Sequence, residues 1–213
     1  MVRNKKTNNK NAFTLLEVLL ALAIVAVVAI LTIPAAINKH NNKILATALK
    51  NNVAIIQDLV NDDLIENQTR SIKETMFATD TEFFTSSHMQ TIKTCTSGTA
   101  NSNCWKTEIA NYKDIDGNSR TPSEMYTVIL PNKAILSYSP PTDSSDATVQ
   151  IDLNGVAKPN IYGRDFFAYH IADNGDIYGT SSTSYSTNVS DCKSGDAFAC
   201  FSAVKIANWK IDY

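Results

Sequence analysis

The stretch Lys10–His40 reads KNAFTLLEVLLALAIVAVVAILTIPAAINKH, and it decides how the rest of the chain is read. From Phe13 to Ile37 the only ionisable side chain is Glu17, and Val18 to Leu31 contain no polar side chain. An apolar run of this length is long enough to cross a bilayer core as a helix. Upstream stand Arg3, Lys5, Lys6 and Lys10, with no acid among them. By the positive-inside rule the N-terminus is then cytoplasmic and the body lies outside. A secretory signal would place its small-residue cleavage site after the apolar run, where Ile33-Pro34-Ala35-Ala36 is a weak candidate. A plain membrane anchor fits the length and flanks but leaves Glu17 unexplained. A carboxylate in a membrane helix costs roughly 2.5–3.5 kcal/mol at mid-bilayer and less near the interface, so such a residue has a partner or a task.

The order and spacing of these residues resemble the class III signal of type IV prepilins and pseudopilins. That family pattern is a short basic leader, a small residue, F-T-L-x-E and an apolar helix. Here Ala12 is followed by Phe13-Thr14-Leu15-Leu16-Glu17 and then Val18-Leu19-Leu20. The resemblance implies cleavage between Ala12 and Phe13 by a prepilin peptidase, N-methylation of Phe13, and assembly of like subunits into a filament. Thr14 and Glu17 then stand at the start of the mature chain, and Pro34 falls where the family commonly has a helix-kinking proline. One position departs from the pattern: the residue before the cut is nearly always Gly in the family and is Ala12 here, so slower processing is expected. Cleavage would create a cationic α-amino group, and Glu17 of a neighbouring subunit could neutralise it where unpaired charge is expensive. Ala21, Ala23, Ala26 and Ala29 would permit close helix approach. The implied fold is α+β, a pilin-like roll with a long N-terminal helix packed on an antiparallel sheet. The implied partners are like subunits, the peptidase, an inner-membrane platform protein and an assembly ATPase. The implied location is the inner membrane, single-pass, and then a pilus or secretion pseudopilus.

The overall charge of −2 comes from 19 basic and 21 acidic residues. Without the four leader cations, 15 basic against 21 acidic residues remain, about −6, which gives no electrostatic support for nucleic-acid binding. Cys95, Cys104, Cys192 and Cys200 form C-x8-C and C-x7-C spacings, and no zinc spacing occurs. Behind an export signal they read as two disulfides. Three connectivities are open, and the local pairs Cys95–Cys104 and Cys192–Cys200 close the shortest loops.

Beyond Pro34, where the helix is expected to kink or loosen, Leu45, Leu49, Val53, Ile56, Val60 and Leu64 recur at steps of three or four. Lys43, Lys50, Asn51, Asp58, Asn61 and Asp62 fall elsewhere on the wheel, giving an amphipathic helix. The expected organisation is a leader over 1–12, a membrane or filament-core helix over 13–37 and an amphipathic helix over 38–67. A connection over 68–124 and a sheet with a C-terminal disulfide region over 125–213 complete it. In the connection, Ser71 to Phe77 could form a short helix, Phe83-Phe84 could anchor the segment, and CTSGTANSNC reads as a stapled loop. Strands are expected at Met125–Leu130, Ala134–Tyr138, Thr148–Leu153, Phe166–Ile171 and Asp176–Tyr178, with turns at Pro131-Asn132-Lys133 and Asp173-Asn174-Gly175-Asp176.

Asp152, Asn154 and Asp165, around a Gly turn, could either bind calcium or cap turns; turn capping is the favoured reading, and the EF-hand set is incomplete. Asp114-Ile115-Asp116-Gly117-Asn118 looks similar. No G-x-S-x-G, P-loop, H-E-x-x-H or G-x-G-x-x-G occurs, so no enzyme is indicated and no other cofactor is implied. His170 reads as a sheet residue, and Trp105 and Trp209 as packing aromatics. The alternative to a filament subunit is a single-pass anchored binding or adhesive module that does not polymerise.

Overall fold

A computed structural model describes residues 14–78, 91–95, 104, 112–123, 125–155 and 157–213. The leader, Ala12, Phe13, Phe83-Phe84, the interior of the Cys95–Cys104 loop and Trp105 lie outside the described residues. The first helix, α1, spans Leu15–Glu66. The chain divides into two compact units, one reaching Asn41 and the other Asn42–Tyr213, and each is taken by itself.

In the first unit α1 carries the apolar run. At about 1.5 Å per residue, residues 15–37 extend roughly 35 Å, enough for a bilayer core. These side chains are uncovered: Leu15 is 78% exposed, Ile30 71% and Leu31 72%. Each fully exposed Leu, Ile or Val forgoes roughly 1.5–3 kcal/mol of burial, so an apolar surrounding is required. α1 continues through Pro34, whose missing N–H leaves the Ile30 carbonyl without its usual intrahelical donor.

In the second unit, the head, helical periodicity does its ordinary work. Leu49, Val53, Ile56 and Val60 are buried, whereas Lys43, Lys50, Asn51, Asp58, Asn61 and Asp62 are exposed. Strands follow as β1 (Lys93–Cys95), β2 (Tyr112–Lys113), β3 (Ser119–Arg120), β4 (Tyr126–Ile129), β5 (Ile135–Ser139), β6 (Ala147–Asp152), β7 (Phe166–Ile171) and β8 (Ile177–Tyr178). Among the described residues, six of them form an antiparallel sheet in the order β1-β4-β5-β6-β7-β8, and β2 and β3 form a separate ribbon. The fold is α+β: a long helix followed by an antiparallel sheet.

Register puts large apolar residues opposite one another: Leu136 pairs with Ile151, and Val149 with Tyr169. Val128, Leu136, Tyr138, Val149, Ile151, Phe167, Tyr169 and Ile171 share one core with the buried residues of α1. A second, smaller core gathers Tyr112, Ile135, Tyr162, Phe166 and Ala168. Alternate strand residues therefore enter different cores, which is why β5 is buried at four consecutive positions.

The turn after β7 docks on α1. Gly175 has φ +88°, and a Cβ there would lie 2.8 Å from a Val60 methyl carbon, so only glycine fits both the backbone and the space. Gln57 Nε2 donates to Gly175 O at 3.0 Å, and Ile72 N to Asp173 O at 2.9 Å.

The helix anticipated over Ser71–Phe77 is two short 3-10 turns, Ile72–Glu74 and Met76–Ala78. At the C-terminal end two helices appear that a strand-and-turn reading did not anticipate: α2 (Tyr185–Lys193) and α3 (Ala197–Ile206). Each is capped by a side chain. Ser184 Oγ accepts from Thr187 N, and Asp196 Oδ1 accepts from Phe198 N at 2.8 Å and Ala199 N at 3.1 Å. The disulfides are Cys95–Cys104 and Cys192–Cys200, the latter tying α2 to α3.

Candidate functional site: the start of the long helix and a buried acid pair

Thr14 caps α1, and Glu17 completes the cap. Glu17 N donates to Thr14 Oγ1 at 3.2 Å. In return Glu17 Oε2 accepts from Thr14 N at 2.8 Å and from Thr14 Oγ1 at 2.9 Å. This reciprocal arrangement is a capping box, satisfying backbone donors that the first turn of any helix leaves unpaired. The T-x-x-E spacing of Thr14 and Glu17 is the sequence signal for this local role. Glu17 Oε1 has no hydrogen-bond partner among the described residues. A carboxylate at a helix N-terminus is also favoured by the macrodipole. Glu17 thus engages Thr14 through Oε2, beside the small Ala21 and the apolar Val18, Leu22 and Val25.

The head holds a second concentration of charge. Asp152 ends β6 and Asp165 immediately precedes β7, and both are fully buried. Asp165 accepts Asn160 N and Ile161 N, each at 2.7 Å. Asp152 accepts Asn154 N at 3.1 Å and, on its other oxygen, the Tyr112 hydroxyl. Asn154 Nδ2 donates to Lys158 O at 3.1 Å. The three residues considered for calcium thus come together, but the carboxylate oxygens face protein donors, which is the geometry of braced turns. Asp114, the other cation candidate, pairs with Arg120 at 2.7 Å and accepts Asn118 N at 2.8 Å. Among the described residues, no group of three or more His, Cys, Asp or Glu side chains is arranged to hold a metal.

Tyr112, Tyr162 and Phe166 wall the acid pair. The Tyr162 and Phe166 rings stack at 4.3 Å, and Tyr112 meets Phe166 edge-on at 5.3 Å. Gly163 (φ +84°) sits against the Cys192–Cys200 bridge, where a Cβ would lie 2.6 Å from Cys192 Sγ. Residues 160–166 are thereby clamped from sheet, ribbon and disulfide together.

Burial, and then the charge of Asp165, push Asp152 up to about 8, although the Tyr112 hydroxyl and backbone N–H groups oppose the shift. Burial also raises Asp165, against the N–H groups of Ile161 and Asn160. The sign follows from linkage. An unfolded Asp loses its proton near about 3.9, so between there and about 8 the folded chain holds a proton that the unfolded chain has lost. Stability therefore falls as pH rises through that window, by at most about 1.4 kcal/mol per pH unit from this group. We expect the full chain in detergent to melt lower at about pH 8.5 than at about pH 5.5, and Asp152→Asn to remove most of the difference. An undiminished difference in that variant would assign the effect elsewhere.

Asp114 behaves oppositely. Burial raises it, but the hydrogen bonds from Asn118 and Arg120 outweigh that and hold it below the usual range. His170, half-buried, stacks on Phe198 at 4.3 Å and lies 3.2 Å from Thr148 Oγ1, and burial lowers its pKa. Trp209 packs edge-on against Phe201 at 6.1 Å.

Residues 7–33 match the family described as the prokaryotic N-terminal methylation motif. The match covers Lys10, Ala12 to Glu17 and the apolar run as far as Ile33. No curated protein and no solved structure gives a significant match to the chain.

Proposed function

We propose, from the type IV pilin/pseudopilin signature that this chain carries at residues 7–33, that it is a structural subunit of a pilus-like filament. In this reading a prepilin peptidase cuts between Ala12 and Phe13, the new amine is methylated, and the subunit waits in the inner membrane with its head outside. Assembly moves α1 from lipid into a bundle of identical helices, with Glu17 of one copy pairing the Phe13 amine of the next. The observation that carries the reading is the match over 7–33, and two features of the molecule support it. The large apolar side chains described between Leu15 and Ile37 are uncovered, and among the described residues Glu17 bonds Thr14 through Oε2 while Oε1 has no partner. An inner-membrane platform protein and an assembly ATPase would drive the transfer.

The N-terminal peptide tests this directly. Cells are sheared, and the chain is recovered from the sheared and the membrane fractions for mass spectrometry. A peptide beginning at methylated Phe13 is expected; its appearance in the sheared fraction favours a surface pilus, and its confinement to the membrane favours a secretion pseudopilus. A peptide beginning at Met1 or Val2 in every fraction would overturn the reading and leave an anchored, non-polymerising binding module.

A further inference from the structure

The exposed face of α1 within the head carries charge segregated along the helix axis. Lys43 and Lys50 lie towards its start, Asp58 and Asp62 towards its end, and all four are exposed. Asp58 and Asp62 are four residues apart, where like charges on a helix repel. Acids in the closing turns also oppose the macrodipole, and the last turn holds no basic residue. Among the described residues none of the four is in an ion pair; the pair present is Arg120–Asp114. The helix thus carries an arrangement that costs it stability alone, with no compensating cation supplied from within. Around the same face lie Ile44, Ile55 and Ile65, which are 53%, 56% and 73% exposed. Apolar side chains beside unpaired charges are what an interface presents before its partner arrives.

We infer that this face docks on the same face of a second copy of the chain, staggered along the axis so that Lys43 and Lys50 of one copy meet Asp58 and Asp62 of the other. The inference rests on the filament reading in one respect: copies sharing a membrane orientation have parallel helices. For parallel helices at the same level, lysine faces lysine and aspartate faces aspartate, which the charges forbid. Sliding one copy along the axis brings opposite charges together. Lys50 and Asp58 are eight residues apart and Lys43 and Asp58 fifteen, so the favoured slide is about 12–22 Å at 1.5 Å per residue. The charge pattern therefore acts as a ruler for subunit spacing, separate from the contact made by Glu17.

The test is a charge exchange in the full chain, expressed with its assembly machinery and read as filament yield in the sheared fraction. Lys43→Glu with Lys50→Glu, and Asp58→Lys with Asp62→Lys, are each expected to cut the yield at least tenfold. Combining all four substitutions restores opposite-sign contacts and is expected to bring the yield back to within about threefold of the starting chain. The neutral versions, K43Q with K50Q and D58N with D62N, guard against topology or folding effects and should give smaller losses that shrink further at high salt. Membrane insertion is expected to stay unchanged throughout, and the melting temperature to stay level or, where Asp58 and Asp62 are replaced, to rise slightly. If the cluster reversals assemble normally while Glu17→Ala does not, the filament reading stands and the ruler is wrong. A four-position exchange as deficient as its parents also overturns it. If the unaltered chain forms no filament, the filament reading fails and takes this inference with it.

Discussion

Glu17→Ala is expected to abolish filament assembly while leaving the chain inserted in the membrane. In the proposed filament, the substitution would leave a cationic amine without its counter-charge inside a packed apolar bundle. Removing one member of a buried ion pair costs roughly 3–5 kcal/mol, about 150- to 5,000-fold in association per subunit contact. Insertion itself should be unharmed or slightly improved, because a carboxylate is lost from an apolar helix. The capping box complicates the alanine result, since loss of a cap alone costs roughly 0.5–2 kcal/mol. Glu17→Gln separates the two roles. Glutamine keeps the reciprocal contacts with Thr14 but carries no charge. If the pairing drives assembly, both variants lose filaments, measured as protein in the sheared fraction. If Gln assembles like the native chain, the residue matters for opening α1 and the pairing is refuted.

Asp165→Ala should be the most damaging single change in the head. It leaves the buried N–H groups of Asn160 and Ile161 without acceptors, each orphan costing roughly 1–3 kcal/mol. A combined loss of about 3–5 kcal/mol corresponds to a fall in melting temperature of about 10 °C or more for a domain of this size. Asp152→Ala is expected to do less, because it also removes a carboxyl whose burial already costs stability above about pH 3.9. Circular dichroism of the detergent-solubilised chain decides the order, and a smaller fall for Asp165→Ala than for Asp152→Ala would show that the braced-turn account is misassigned.

What could be seen in the sequence was whatever depends on short-range pattern. The FTLLE spacing, the apolar run and the steps from Leu49 to Val60 are each set by residues within a turn or two of one another. The strands from Tyr126 to Tyr178 were recognisable from their β-branched and aromatic content, with boundaries off by a residue or so. β1 was missed because three residues, Lys93-Thr94-Cys95, are too few to show a period; their strand character comes from pairing with β4. α2 and α3 were missed because Ser, Thr, Asn and Asp suggest turns. Here Ser184 and Asp196 are caps, and the apolar face of AFACFSAV is recruited by Tyr169 and the core. For Asp152 and Asp165, residue types alone left cation binding and turn bracing both open. The bracing seen here depends on Tyr112, forty residues earlier in the chain, whose hydroxyl donates to Asp152.

The docking of the β7–β8 turn on α1 has a consequence for how the chain is made. Gln57 meets Gly175 across 118 residues, and Asn42 Nδ2 meets the Ile211 carbonyl across 169. At roughly 5–20 residues per second, about 6–34 s separate synthesis of these helix residues from synthesis of their partners. Until the strands are made, Leu49, Val53, Ile56 and Val60 have no sheet to lie on. The head therefore folds late and as a whole, and an emerging chain needs its first apolar residues held by membrane or chaperone until the last forty arrive.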